Sequence, residues 1–130
     1  MKMIIDTSII IAVLLNEESK NKIVEITTGA ELFAPASLHW EVANAFTAMF
    51  KRKRINLKES FQALKYYQEI PIRFLDVDLE KSLRVSFTHS IYAYDSYFIV
   101  AAKELNCPLL SLDSSMKNIA SLEGINIIEV

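Results

Sequence analysis

Five short apolar runs divide this chain: Met3-Ile4-Ile5, Leu32-Phe33-Ala34, Ile72-Arg73-Phe74-Leu75, Leu109-Leu110-Ser111-Leu112 and Ile125-Asn126-Ile127-Ile128. Each is bounded by polar residues, Pro or Gly, and none alternates strictly, which suits strands covered on both faces. Longer segments with helical spacing lie between them. Leu38, Val42, Ala45, Phe46 and Met49 mark one helix, and Tyr94, Tyr97, Phe98, Ala101, Ala102 and Leu105 mark another. Ser37 is the expected N-cap of the first, and Pro108 is the expected stop after the second. A third helix is expected over residues 55–70, where Leu57, Phe61, Leu64 and Tyr67 or Gln68 keep the period. Strand then helix, repeated, requires a parallel sheet, because parallel neighbours are joined only by crossovers. The expected fold class is α/β with a central parallel sheet of about five strands.

At 130 residues, with no Gly-, Ser- or Pro-rich linker and no repeat, the chain is expected to form a single domain over 1–130. Its two glycines, Gly29 and Gly124, exclude the clustered-glycine loops that cradle nucleotide phosphates. One cysteine, Cys107, and two histidines, His39 and His89, exclude an internal disulfide and a closed thiolate or imidazole zinc site, which fits a reducing cytoplasm. The longest apolar run, Ile9 to Leu15, is far too short for a membrane span, and Asp6, Thr7 and Ser8 break any signal-peptide core. A formal net charge of −2 argues against coating nucleic acid by bulk charge.

In an open parallel sheet, ligands gather beyond the carboxyl ends of the strands. Of the five aspartates, Asp6 and Asp113 follow the first and fourth apolar runs and project from one sheet edge if those strands are parallel. Glu41 borders the apolar face of its helix, with Leu38 before it and Ala45 and Ala48 after it. Asp95 is followed at helical spacing by Phe98, Ile99 and Ala102. An unpaired buried charge is costly, and a hard cation such as Mg²⁺ relieves that cost by binding carboxylate oxygens. Singly, each acid has a plainer use: Asp6 and Asp113 as helix caps, Glu41 in an ion pair, Asp95 as a favourable charge at a helix start. Jointly, four acids in an apolar setting suggest a cation site.

The stretches "IIDTSIIIAVLL", "SLHWEVANAF" and "YDSYFIVAAKELNCPLLSLD" resemble the PIN-domain ribonucleases, and among them the VapC-like toxins of type II toxin–antitoxin modules. They cover Ile4–Leu15, Ser37–Phe46 and Tyr94–Asp113; Lys51 to Tyr92 matches in helical character only. The resemblance places the family's acidic quartet on Asp6, Glu41, Asp95 and Asp113, and its polar accessory positions on Thr7, Ser8, Asn44 and Ser111. Ser96 departs from the small apolar residue of many relatives. The resemblance implies a three-layer α/β/α domain that hydrolyses RNA as an endoribonuclease, using Mg²⁺ or Mn²⁺ held by the quartet. Asp6 and Asp95 would be direct ligands, with Glu41 and Asp113 completing the site directly or through water. It further implies a cognate antitoxin and a homodimer.

Other signals are less specific. Lys51, Arg52, Lys53 and Arg54 form the basic cluster, which either stays solvated at a helix C-terminus, the plainer reading, or holds RNA phosphates. Trp40 lies off the Leu38-Val42-Ala45 stripe and with Phe50 is expected to form either an exposed partner patch or a second packing face. Cys107 reads as a small core residue, and Tyr92, Tyr94 and Tyr97 read mostly as core, with one of them able to stack on a base. Aspartyl-phosphate chemistry is disfavoured because Ser8 stands where a second Asp is needed, and a receiver domain lacks its adjacent acids. An RNA-processing nuclease without an antitoxin and a non-catalytic metal- or protein-binding module are the remaining alternatives.

Overall fold

The computed structural model describes all 130 residues. Five strands, β1 (Lys2–Ile5), β2 (Glu31–Pro35), β3 (Ile72–Leu75), β4 (Leu109–Leu110) and β5 (Ile127–Ile128), form one sheet. Its order is β3-β2-β1-β4-β5 and every pairing is parallel. Central β1 registers Ile4 against Phe33 on one side and Leu109 on the other. Met3, Ile4 and Ile5 are all buried, so both faces of β1 are covered. The expected three-layer parallel architecture is what the chain adopts.

Seven helices clothe the sheet: α1 (Thr7–Leu14), α2 (Lys20–Thr27), α3 (Leu38–Lys51), α4 (Leu57–Glu69), α5 (Leu79–His89), α6 (Ala93–Leu105) and α7 (Ser114–Leu122). α1 gathers α2, α3 and α4, while α6 packs on β1, β2 and β4 and carries α5 and α7. Their starts follow from side-chain acceptors. Asp6 caps α1 at the Ile9 N–H, Asp78 caps α5 at Lys81, and Asn56 with Glu59 forms a reciprocal capping box on α4. Ser90 and Asn106, at φ 55° and 48°, close α5 and α6 in the left-handed region that Asn tolerates better than most residues.

Several local expectations change. The fourth and fifth strands are shorter than their apolar runs, because Ser111 and Leu112 turn out of the sheet toward α7 and Ile125 packs in the core ahead of β5. Ser37 stands at the N-cap of α3 but makes no capping bond. Asn106 ends α6 before Pro108 is reached. On α4 the buried face is Ser60, Ala63 and Tyr67, so Leu57, Phe61 and Leu64 face solvent. Tyr92 and Tyr94 are exposed rather than core, and Phe50 packs on the core, leaving Trp40 exposed without it.

Phe98, 1% exposed at the centre of α6, and Phe87, 90% exposed on α5, separate packing from surface. Phe98→Ala should cost about 3–5 kcal/mol in urea unfolding, whereas Phe87→Ala should stay within about 0.5 kcal/mol. Equal losses would show that the α6 core does not carry the stability assigned to it.

Candidate active site

The chain winds outward from β1 through β2 to β3, then crosses back to place β4 on the opposite flank of β1. The connections above β1 and β4 therefore diverge, and a crevice opens between them at the carboxyl edge of the sheet. Asp6 is the first residue beyond β1, and Ser111 is the first beyond β4.

Asp6 is 3% exposed. Its Oδ1 accepts from the Ser8 hydroxyl at 2.6 Å and from the Ile9 N–H at 3.3 Å, and its Oδ2 accepts from the Ser111 hydroxyl. Each serine is itself fixed from behind. Ser8 Oγ accepts the Leu112 N–H at 2.9 Å, and Ser111 Oγ accepts the Asp113 N–H at 3.0 Å. With their acceptor sides occupied by backbone donors, both hydroxyls aim their protons at the carboxylate. The arrangement suits an ionised Asp6, yet burial outweighs these donors and pushes its pKa up, and the nearby Asp113 charge adds to the rise.

The other acids arrive on helix starts. Asp113 caps α7 through Oδ1, accepting from Ser115 and Met116 N–H at 2.9 and 3.2 Å, and is exposed. Glu41 and Asp95 lie in the first turns of α3 and α6 and are half-buried. Burial raises Glu41 to about 7, and repulsion from Asp95 and Asp6 contributes to that shift. Burial likewise raises Asp95, with Asp113 repelling its charge. The four carboxylates thus share one electrostatic neighbourhood. No three His, Cys, Asp or Glu side chains converge closely enough to enclose an ion unaided.

Thr7, Trp40, Glu41, Asn44, Ala45 and Tyr94 line a cleft of about 570 Å³. Thr7 Oγ1 is buried without a hydrogen bond of ordinary geometry, but it lies beside Glu41 and favours its charged form. Asn44 is exposed on the same helix face, one turn from Trp40. Ser37, expected as a cap, instead reaches Glu41 Oε2 at 3.4 Å with its hydroxyl, and the four-residue spacing on one helix face is the sequence signal for that contact. Tyr94, expected mostly as core, lines the cleft instead. Lys51, Arg52, Lys53 and Arg54 stand apart, exposed at the far end of α3, about 15 Å along the helix from Glu41. Arg54 borders a separate cavity of about 430 Å³ with Leu14, Met49 and Tyr66.

The winding and the acid-lined crevice define an open α/β domain with a polar site at its topological switch. Residues 3–122 match the PIN domain family, and the chain belongs to that family. It is similar to PAE2754 from Pyrobaculum aerophilum (16% identity, TM-score 0.73, covering 97% of this chain and 83% of that one). It is also similar to VapBC2 from Rickettsia felis, solved bound to a DNA fragment from its promoter (12% identity, TM-score 0.71, covering 98% of each). A third similar structure is VapC20 of Mycobacterium tuberculosis, a Sarcin-Ricin loop cleaving toxin (12% identity, TM-score 0.65, covering 98% of each). These likenesses are of fold. No curated protein matches the chain at a significant level.

The raised carboxyls carry a sign. Glu41 titrates at its ordinary 4.5 when unfolded and at about 7 when folded, so the folded chain holds the extra proton across that interval. Stability contributed below pH 4.5 is therefore lost as pH rises through 7. In metal-free buffer, Glu41→Gln should raise stability at pH 8 by about 1 kcal/mol, a figure reduced for partial solvent exposure, and change it little at pH 4.5. Urea midpoints at the two pH values test this; an equal gain at both would refute the shift.

Proposed function

We propose that this chain is a divalent-metal-dependent endoribonuclease that hydrolyses RNA phosphodiester bonds as the toxin of a toxin–antitoxin pair. The observation that carries the reading is Asp6, a buried carboxylate held by two backbone-anchored serines at the switch point, with Asp113 and Glu41 in its field and Asp95 in theirs. Family membership supports it, as do the toxin neighbours of similar length.

The donors fit a hard divalent cation, Mg²⁺ or Mn²⁺, since all are oxygens and Asp6 is oriented by its serines. Asp6 and Asp95 would hold the ion, with Glu41 and Asp113 completing the site. Mg²⁺ keeps several waters and is commonly held by one or two carboxylates, so it does not need three acids to converge. When bound, the ion supplies charge neutralisation at the phosphate and a more acidic water. The chain's own part is to position and to move a proton. Glu41, raised to about 7 in the ion-free chain, would give up its proton as a cation binds near neutral pH. Ser8 and Ser111 keep Asp6 in one orientation, Thr7 Oγ1 is buried beside Glu41, and Asn44 offers its amide to substrate in the cleft. The distant Lys51, Arg52, Lys53 and Arg54 would meet RNA phosphates beyond the cleaved one.

An antitoxin and a second copy of the chain are the proposed protein partners. Leu57 and Phe61 on α4 and Leu79, Leu83 and Phe87 on α5 are more than half exposed, which supports protein contacts on these faces. No helix is long and apolar enough to cross a membrane, and the proposed compartment is the cytoplasm, where free Cys107 stays reduced.

The test is RNA cleavage by the partner-free chain with and without Mg²⁺ or Mn²⁺. Asp6→Asn should lower the rate by at least about 100-fold, and Ser111→Ala should weaken Mn²⁺ binding, read by calorimetry, by roughly 10–100-fold. Equal cleavage by wild type and Asp6→Asn, or cleavage unaffected by chelation, would sink the assignment.

A further inference from the structure

Each half-buried acid that lies on a helix is preceded by an exposed aromatic ring: Trp40 before Glu41 in the first turn of α3, and Tyr94 before Asp95 in the first turn of α6. Trp40 is 70% exposed and Tyr94 is 57% exposed, although both side chains are largely apolar. They arrive from different helices to line the same cleft, with Glu41 and Asn44 also on its wall. Each ring has an aromatic neighbour. Trp40 stands 6.0 Å from the His39 ring at 61°, and His39 is tied to the Tyr67 hydroxyl at 2.9 Å and packed on Phe74 at 4.0 Å. Tyr94 stands 6.1 Å from Tyr97 at 88°. An edge-to-face contact uses at most one π face, so each buttressed ring keeps another to offer.

We propose that Trp40 and Tyr94 form an aromatic clamp that stacks on an unpaired nucleobase next to the phosphate being cut, with the Asn44 amide meeting the edge of that base. This rests on the nuclease reading and assigns two specificity-determining residues to it: the clamp needs a base whose faces are free, because a base within a duplex has both faces already stacked. Stacking on aromatic side chains is tolerant of base identity, whereas an amide, which both donates and accepts, adds preference. A cleft of about 570 Å³ accommodates a base and its sugar. Free RNA ends, loops and extruded bases share the required chemistry.

Trp40 is the only tryptophan, so its emission reports stacking directly. A short single-stranded oligoadenylate should quench Trp40 emission, and the same strand annealed to oligouridylate should not. Binding is measured with wild type in EDTA and with Asp6→Asn in Mg²⁺, so that no cleavage intervenes. Anisotropy of the end-labelled strand gives affinity independently. Trp40→Ala and Tyr94→Ala should each weaken single-strand binding by roughly tenfold, Trp40→Phe should restore most of it, and duplex binding should not change. Anisotropy that rises while Trp40 emission stays fixed, or equal quenching by duplex, overturns the clamp, leaves the nuclease reading standing and assigns Trp40 to a protein contact. A strand that binds under neither condition removes both.

Discussion

A carboxylate buried at the end of the central strand is the constraint around which this domain is organised. Asp6 sits where β1 stops, nearly without solvent, and an unpaired charge there is costly. Three donors meet it, and two belong to serines whose own acceptors are filled by backbone N–H groups of the β4–α7 connection. Ser8 and Ser111 therefore join segments about a hundred residues apart, since Leu112 N–H to Ser8 spans 104 positions and Ser111 to Asp6 spans 105. The same bonds that make Asp6 tolerable fix the β1–α1 turn against the β4–α7 turn. Site geometry and fold closure are one network.

The fold imposes a second consequence. Helix starts collect at the carboxyl edge of a parallel sheet, so Glu41, Asp95 and the cap Asp113 reach the Asp6 neighbourhood from three separate helices. Asp6 and Asp113 are at once helix caps and members of the acid cluster. The plain reading and the functional reading of these residues are not exclusive, because a cap occupies only some carboxylate lone pairs. What marks the cluster is the shared direction of Asp6, Glu41 and Asp95, all raised chiefly by burial, with Asp113 repelling Asp6 and Asp95, and with Asp95 and Asp6 repelling Glu41. Such strain costs stability in the free chain and is relieved by positive charge, the pattern expected where binding opposes repulsion.

Much of this was legible in the amino-acid sequence for a physical reason: β1 and β4 are covered on both faces, so their residues have to be apolar and the acids that follow them stand out. Exposure was less legible. Spacing identified α4 but put Leu57, Phe61 and Leu64 inside, whereas the buried face is small, Ser60 and Ala63 beside Tyr67. Periodicity locates an apolar stripe and does not say whether the stripe meets the core or waits for a partner. Tyr92 and Tyr94 were misplaced for the same reason. The Ser111 bond to Asp6 and the Leu112 N–H bond to Ser8 depend on two distant turns meeting, which no local pattern encodes.

Those exposed rings and stripes are where the domain departs from simple economy of burial. Trp40 exposes most of a large side chain while His39 beside it is tied down by Tyr67 and Phe74. A surface aromatic with no role gains nothing from an anchored neighbour, since ordering a side chain costs entropy. Anchoring is useful when the ring must already be in place as a ligand arrives, because that ordering is then not charged against binding. The same logic runs through the acid cluster, where Asp6 is fixed before any ion or substrate is present. Asp6 oriented by its serines, and Trp40 beside an anchored His39, are both arrangements set before a ligand arrives, and preorganisation is the property that separates a site from a chance meeting of side chains.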